Sequence, residues 1–388
     1  MTKKYDIIMF SMSDWNDWYK KGIVNRNYHI LNQLLKSNKI GKILHVDFLP
    51  YTKKRALRSY FENQISNTSG QTIKRNLTSV LKKISEKLYT YSTIDSIFSE
   101  NKVYKKLNVI LKKLNFENII LWSYFPMFTG YFDSIESNIK IFDTVDNWIE
   151  HHNFKDYKKR LRKNYNIINQ KADLIFTVSQ DLTNLFPTNK NVHWISNGVD
   201  ITFFQKTNVQ CLMSNVKNIP HPIIGYVGII QDRIDIDLIE YVAKNNSDKS
   251  IVLIGDIWPD ANVTNLKQEK NVHFLNRVEY KKLPKYIHQF DVAIIPHKVN
   301  KFTKSMNPLK LYEYLACSKP VVTTPIAGIE KFKDLIYVAS SKEEFNNKIQ
   351  EALQNNNEEL EKKRFESVKN YSWQPRINQM MNYIENLL

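Results

Sequence analysis

Residues 304–322 read Lys304-Ser-Met-Asn-Pro-Leu-Lys-Leu-Tyr-Glu-Tyr-Leu-Ala-Cys-Ser-Lys-Pro-Val-Val322, in which the start of a helix is followed closely by a buried strand. The pattern predicts that Asn307 caps the helix and that Pro308 is its first residue, because Asn favours the capping position and Pro the first turn. Apolar residues then recur at helical spacing as far as Ala316. Val321 opens a β-branched run of the kind that fills a parallel sheet. This order predicts an α/β fold.

Two charged side chains share one face of this predicted helix near its beginning. Lys310 and Glu313 are three residues apart, a spacing that brings side chains together on a helix. The backbone N–H groups and the partial positive charge at a helix start attract anions. The sequence therefore predicts that this helix binds a ligand carrying both phosphate and hydroxyl groups.

Apolar runs alternate with amphipathic segments along most of the chain, which indicates two doubly wound, Rossmann-like sheets. The periodicity lapses over residues 207–222, where we place a linker. Residues 50–105 are polar and basic, and we expect helices and loops there, including a helix at 77–88. Ligands of such sheets bind at the carboxyl ends of the strands. The predicted strands are 5–10, 42–48, 118–122, 139–142, 174–178 and 193–195, then 223–228, 251–255, 272–274, 292–296, 321–323 and 335–338.

The composition limits the classes of protein to which this chain can belong. The chain has 388 residues, of which 42% are hydrophobic, enough to bury two globular cores. Two cysteines, Cys211 and Cys317, do not suggest a disulfide framework. No apolar run reaches the length of a membrane span, and residues 1–10 are typical of a first strand rather than a signal peptide. We therefore expect a cytoplasmic protein.

The charge is uneven along the chain. The formal net charge is +17, of which residues 1–205 carry +13 from 31 Lys and Arg against 18 Asp and Glu. Such a basic surface suits an anionic membrane, and a Lys-rich solvated surface is the alternative. No nucleic-acid-binding motif accompanies the charge, so nucleic acid is not an expected partner.

A short glycine-containing segment, Gly225 to Arg233, follows the first predicted strand of the second half. Two glycines after a strand are a weak signal, and the dinucleotide fingerprint G-x-G-x-x-G is absent. The whole chain has nine glycines. We therefore expect phosphate to be held by helix ends and basic side chains such as Arg233 rather than by a glycine cradle.

Three segments together resemble the GT-B glycosyltransferases, especially glycosyltransferase family 4. They are residues 172–179 with 195–200, then 225–233, then 305–322, in that order. The resemblance covers nearly the full length and includes Tyr371-Ser-Trp373 before the last helix. It implies an acceptor-binding domain at 1–205, a domain at 206–370 that binds a nucleotide sugar, and a helix at 371–388 that crosses back to the first domain. It also implies that neither a metal nor another cofactor is needed.

The resemblance implies residues for the donor site. Family 4 enzymes carry two Glu residues eight positions apart, and Glu313 matches the second, which in the family contacts the nucleotide ribose. Ser305 stands where the family has the first Glu. Because that first Glu supports a retaining mechanism in the family, the resemblance does not imply retention here. The motif is closer to that of bacterial teichuronic acid glycosyltransferases and of the xanthan-pathway glucuronosyltransferase. The latter enzyme is inverting. In this group a Lys matching Lys310 binds the donor. Arg277 is equally compatible with a surface position. The predicted donor-binding residues are Gly228, Arg233, Arg277, Lys304, Ser305, Met306, Lys310 and Glu313.

An inverting transfer requires a carboxylate within hydrogen-bond reach of the acceptor hydroxyl. Asp146 and Asp143 follow a predicted strand whose end should face the cleft, and Asp146 is the predicted base. Helix capping is the alternative for both. Arg26 is expected to hold an acidic group.

The loop after the first strand supplies the predicted acceptor-binding residues. Trp15 and Trp18 suit stacking on sugar rings, with packing as the alternative. Asp14 and Asp17 suit hydrogen bonds to hydroxyls or the role of base.

Asp235-Ile-Asp237 and His151-His152 resemble metal ligands superficially, but Asp235 opens a predicted helix, where a capping role is favoured. The sequence predicts a metal-independent glycosyltransferase that uses a nucleoside diphosphate sugar, with UDP as the expected nucleotide, in bacterial cell-surface polysaccharide synthesis. Its expected acceptor is a glycan or a polyprenol-linked glycan. A nucleotide-sugar epimerase of the same fold and a non-catalytic binder of sugar nucleotides or polyanions are the alternatives.

Overall fold

The computed structural model describes residues 4–65, 69–205, 216 and 218–388. It divides into two compact units, Met1–Ile195 with Ile377–Leu388, and Ser196–Arg376. The chain thus passes into the second unit earlier than the predicted boundary at residue 205. Most of the predicted linker, together with Cys211, lies outside the described residues.

The first unit is built on a mixed sheet, nine strands of which lie in the part of the chain that the structure describes. These are β1 (Tyr5–Phe10), β2 (Ile40–Val46), β3 (Gln71–Arg75), β4 (Ser79–Lys83), β5 (Leu88–Thr93), β6 (Ile119–Ser123), β7 (Ile139–Thr144), β8 (Leu174–Thr177) and β9 (Val192–Trp194). Their order is β3-β4-β5-β2-β1-β6-β7-β8-β9. From β5 to β9 neighbouring strands are parallel, while β3 and β4 add an antiparallel edge. Strand β1 is buried on both faces, as a central strand of a covered parallel sheet should be.

Helices cover this sheet and position the loops at its carboxyl edge. They are α1 (Trp15–Tyr19), α2 (Arg26–Lys36), α3 (Lys53–Ser59), α4 (Glu100–Lys113), α5 (Tyr131–Ser134) and α6 (Lys158–Lys171), with a π-helix at Tyr60–Ile65 that continues α3. Helix α2 begins at Asn25, whose side chain accepts a hydrogen bond from the Tyr28 amide at 3.2 Å. Capping by Asn satisfies one of the amides that a helix start leaves unpaired.

The predicted helix at 77–88 is wrong, because this segment forms β4 and the start of β5. Val80, Ile84 and Leu88 recur every four residues, which imitates a helix in the sequence. In the structure, the turn at 84–88 reverses the chain, with the Ile84 and Ser85 amides donating to the Leu88 carbonyl at 2.8 and 3.2 Å. Pairing with β2, a contact distant in sequence, decides the strand conformation.

The second unit has an all-parallel sheet, as predicted. Its strands are β10 (Ile223–Val227), β11 (Ser250–Ile254), β12 (Val272–Phe274), β13 (Val292–Ile295), β14 (Val321–Thr323) and β15 (Tyr337–Val338), in the order β12-β11-β10-β13-β14-β15. Along β10, Ile223 and Val227 belong to one buried cluster and Ile224 and Tyr226 to another. Because successive side chains of a strand point to opposite faces, both faces of this sheet are covered.

Helices connect and flank the strands of the second unit. They are α7 (Ile201–Gln205), α8 (Ile236–Lys244), α9 (Leu283–Ile287), α10 (Leu309–Ala316), α11 (Lys342–Asn355) and α12 (Glu358–Val368), and α13 (Trp373–Glu385) runs from this unit into the first. No helix within the described ranges combines the length and hydropathy that crossing a membrane requires.

The predicted capping role of Asn307 is wrong. The capping position of α10 is occupied by Pro308, and Asn307 turns towards a neighbouring loop instead. Its Oδ1 accepts from the Asn197 amide at 2.8 Å, and its Nδ2 donates to the Tyr312 hydroxyl at 3.0 Å. Asn197 Nδ2 in turn donates to the Asn307 carbonyl at 2.6 Å. This buried network fixes the residues that lead into α10.

Replacing Asn307 by Ala is expected to lower the free energy of unfolding by about 2 kcal/mol, because it leaves the Asn197 amide and the Tyr312 hydroxyl buried without these partners. Urea denaturation checks this value. Asn386→Ala, an exposed position, is the matched control and should change stability by less than about 0.5 kcal/mol. Equal stability of the two variants would contradict a structural role for the network.

Candidate active site

The carboxyl ends of β10 and β13 form the centre of the candidate donor site in the second unit. These strands are neighbours, and β10 connects through α8 to β11 on its other side. Such a reversal of strand order opens a crevice for ligands in doubly wound sheets. Gly228 follows β10 and His297 follows β13 closely, so both lie at this point.

Gly228 allows a lysine to lie directly against the backbone. Its φ is +140°, a conformation that favours glycine. A Cβ at this position would overlap the Lys310 side chain and come within 2.9 Å of the Tyr226 hydroxyl oxygen. The Lys310 Nζ atom lies 5.6 Å from the centre of the Tyr226 ring. The first turn of α10 therefore delivers an ammonium group to the end of β10.

Arg233 is held beside the end of β13 by backbone pairing. Its carbonyl accepts from the Lys298 amide at 2.9 Å, and the Asp235 amide donates to the Pro296 carbonyl at 2.8 Å. With the Gln231 amide oriented to satisfy both groups, its oxygen accepts from Arg233 Nε and Nη2 at 3.0 Å. These contacts aim the guanidinium while leaving it partly exposed.

The two cations of this site, Arg233 and Lys310, repel one another, and Glu313 offsets part of this repulsion. Burial first, and the charge of Arg233 second, lower the pKa of Lys310 to about 8, while Glu313 acts in the opposite direction. Burial raises the pKa of Glu313 to about 7, against the effect of Lys310. A poorly solvated ammonium group close to a second cation forms a site suited to an anion.

His297 belongs to this site although the sequence analysis did not predict it. It is 1% exposed, and neither ring nitrogen has a hydrogen-bond partner among the described residues. Burial, then Arg233 and Lys310, hold its pKa well below the usual range, so the ring is neutral near pH 7. The sequence signal that could have identified His297 is its position directly after the predicted strand 292–296, where ligands of such sheets bind.

The other predicted donor residues are distributed around this centre. Ser305 is buried, with its Oγ donating to the Phe302 carbonyl at 2.8 Å, and Met306 is buried beside it. Lys304 is exposed on the preceding turn. Arg277 is exposed and pairs with Asp256, which follows β11. The structure thus brings Gly228, Arg233, Lys310 and Glu313 together, with Arg277 at the end of the adjacent strands.

In the first unit, the two predicted base candidates have different surroundings. Asp143 lies within β7, is fully buried, and accepts from Arg26 Nε at 3.0 Å on both carboxylate oxygens. Neither aspartate is the capping residue of the helix that follows, where His151 takes that position. Asp146 follows the end of β7 and is partly exposed. Its carbonyl accepts from the Tyr165 hydroxyl at 3.1 Å, which fixes the loop.

The predicted acceptor loop lies at the carboxyl end of β1. Asp14 caps α1 and is 1% exposed; its oxygens accept from the Phe48 amide and Arg55 Nη2, both at 3.0 Å. Burial first, and Asp47 second, raise the pKa of Asp14 to about 7. In this environment the Asp14 carboxylate titrates near neutral pH, although its oxygens already accept hydrogen bonds from Phe48 and Arg55.

The tryptophans of this loop differ in exposure. Trp18 is buried and packs on His45, with 4.7 Å between ring centres, as the packing alternative expects. Trp15 is partly exposed and donates from Nε1 to Ser69 Oγ at 2.7 Å. Trp15 is therefore the better placed of the two to contact a ligand.

Acidic groups near this loop already have a cationic partner. Asp14, Asp17 and Glu62 each place one carboxylate oxygen within 4.8 Å of the others. Lys21 Nζ lies 2.9 Å from Asp17 and 2.7 Å from Glu62, and Arg55 Nη2 lies 3.0 Å from Asp14, so each of the three carboxylates has a cationic partner. Asp235 caps α8 as expected, accepting from the Leu238 amide at 2.9 Å. Metal independence stays a prediction.

Comparisons with known proteins agree with this architecture. Residues 221–355 match the family model of glycosyl transferases group 1. The chain is 24% identical over 265 residues to TuaH of Bacillus subtilis (strain 168), a protein assigned to teichuronic acid biosynthesis as a glycosyltransferase; the match covers 64% of this chain and 66% of TuaH.

Two solved structures have the same fold over nearly the whole chain. Sucrose-phosphate synthase from Thermosynechococcus elongatus has a TM-score of 0.72 at 13% identity and covers 99% of both chains. Anabaena HepE in complex with UDP has a TM-score of 0.67 at 14% identity, covering 99% of this chain and 100% of that one. The predicted GT-B fold is confirmed. The match to the group 1 model falls within the second unit.

UDP binding is expected to weaken as pH rises above 8. This prediction assumes that the ammonium form of Lys310 binds the diphosphate; that form predominates below the folded pKa of about 8 and is progressively lost above it. Calorimetry should show an affinity loss of about eightfold between pH 7.5 and 9.

The control is Lys310→Arg, which stays charged over this range and should remove most of the pH dependence. A flat profile for the parent protein would rule out Lys310 as the titrating group.

Proposed function

We propose that the protein transfers a sugar from a UDP-linked donor to a glycan or polyprenol-linked acceptor in bacterial cell-surface polysaccharide synthesis. The observation that carries this proposal is that Arg233 and Lys310 lie close together at the end of β10, within the region that matches the group 1 model. HepE was solved in complex with UDP, and TuaH is assigned to teichuronic acid biosynthesis. Both similarities support the choice of nucleotide and pathway class.

The donor site has a chemical role for each side chain. Arg233 and Lys310 neutralise the diphosphate as it leaves, and Lys304 adds a further cation from the adjacent exposed turn. Electrostatic stabilisation of this kind contributes up to about 4 kcal/mol per group to the transition state. Glu313 accepts hydrogen bonds from the ribose hydroxyls, which is the role that the resemblance implies.

Asp146 acts as the base in this proposal. Its partial exposure lets it reach an acceptor hydroxyl, and its loop is fixed by Tyr165. Asp143 is less suitable, because both of its oxygens bind Arg26 in the core. Asp14 is the competing base, supported by its pKa of about 7 but opposed by its burial and its contacts with Arg55 and Phe48.

The basic first half of the chain supports action at an anionic membrane on the cytoplasmic side. Residues 1–205 carry a formal charge of +13, and each Lys or Arg near an anionic surface contributes about 1 kcal/mol of attraction. A polyprenol-linked acceptor would be presented at such a surface.

A panel of nucleotide sugars tests the proposal. We expect slow release of UDP from one sugar donor without an acceptor, and faster release when a lipid-linked glycan extract is added. Chromatography of the nucleotide products distinguishes the outcomes. Epimerised donor without release of UDP would identify an epimerase, and thermal stabilisation without any product would identify a binding protein.

Asp146→Asn is expected to lower kcat by about 10²- to 10⁴-fold, because it removes the group that accepts the acceptor proton. The affinity for UDP, measured by calorimetry, should not change. Asp181→Asn, an exposed aspartate of the same unit, is the matched control and should keep the parent kcat. Near-normal turnover of Asp146→Asn, together with loss of turnover in Asp14→Asn, would move the base to Asp14.

A further inference from the structure

A stripe of apolar side chains is exposed along α3 and the π-helix that continues it. Leu57, Phe61 and Ile65 are 60%, 54% and 54% exposed. They are four residues apart, so they lie on nearly the same side of the helix. Single exposed apolar residues are ordinary on a protein surface, but a row of three large ones marks an interaction site.

The hairpin formed by β3 and β4 extends this stripe. Leu77, in the turn between the two strands, is 88% exposed. The π-helix is bonded to the hairpin, because Gln64 Nε2 donates to the Thr78 carbonyl at 3.1 Å and Arg75 donates to the Gln64 carbonyl. Leu77 therefore lies beside the end of the helical stripe. We call Leu57, Phe61, Ile65 and Leu77 the apolar patch.

Cationic side chains surround the apolar patch. Residues 50–83 contain eight Lys and Arg and one acidic residue, Glu62. Glu62 is itself bound by Lys21 and Arg58, with N–O distances of 2.7 and 2.9 Å. The exposed members within four residues of a patch residue in the sequence are Lys53, Lys54, Arg58, Lys74 and Arg75.

We propose that the apolar patch docks on an anionic lipid bilayer, with its four side chains entering the boundary between headgroups and acyl chains while the surrounding cations bind the headgroups. Apolar side chains beside Lys and Arg on one helical face are the features that hold proteins in the plane of a bilayer. The inference rests on the proposed function, since it identifies the surface that brings the enzyme to a lipid-linked acceptor.

Charge distinguishes a bilayer from the other candidate occupants. A second copy of the chain would bring two strongly basic faces together, which like-charge repulsion opposes. Nucleic acid would match the charge but offers no apolar layer for Leu57, Ile65 and Leu77. An anionic bilayer offers both negative charge and hydrocarbon.

Flotation of the full chain with vesicles tests the proposal. We expect binding to phosphatidylcholine vesicles containing about 30% phosphatidylglycerol, weaker binding to pure phosphatidylcholine, and weaker binding in high salt. The patch variant Leu57→Ser, Phe61→Ser and Leu77→Ser keeps every charge and should lower the bound fraction by at least about tenfold.

The control variant carries Val109→Ser, Leu387→Ser and Leu388→Ser, three exposed apolar positions outside the patch, and should bind like the parent. Thermal unfolding and UDP affinity must be unchanged in both variants, which separates a membrane defect from a damaged donor site.

Parent-like flotation of the patch variant would overturn the proposal. A parent dimer that the patch variant abolishes, with no vesicle binding, would reassign the patch to self-association. Absence of sugar transfer with intact flotation would refute the proposed activity alone.

Discussion

The mutual repulsion of Arg233 and Lys310 is the constraint on which the donor site depends. Folding holds two cations close enough that one lowers the pKa of the other, and both act on the neutral imidazole of His297. Such an arrangement persists because β10, β13 and α10 are fixed by a large buried core. A bound diphosphate would relieve the repulsion, so the packing energy of the second unit is what keeps the site ready for an anion.

The first unit supplies the acidic groups under a different constraint. The Arg26–Asp143 pair is almost fully buried, and a buried pair is stable only while both partners are present. It joins the first residue of α2 to β7, the strand whose loop carries Asp146. The position of the proposed base is thus determined by an ion pair that does not itself face solvent.

Much of this architecture is predictable from the sequence, because strands of parallel sheets are continuous apolar runs and their helices are amphipathic. The segment around Lys310 and Glu313 predicted its helix and its strand correctly, and its ligand stays a prediction. The hairpin at 71–83 was not predictable in this way, since its edge position allows polar residues on both faces and its apolar spacing imitates a helix. His297 was missed because no local pattern distinguishes an imidazole that packs in a core from one beside two cations. Asn307 was misassigned because its partners, Asn197 and Tyr312, lie outside the local capping pattern.

Glycine is scarce in this chain, yet two of the nine lie face to face where β10 and β11 end. A Cβ on Gly255 would collide with the carbonyl of Gly228, and both residues have positive φ. The backbone of Gly228 therefore excludes a side chain at Gly255, and the Lys310 side chain excludes one at Gly228. Substitution at either glycine would disturb this edge of the sheet, so sequence change can alter the side chains around the candidate site far more easily than these two positions.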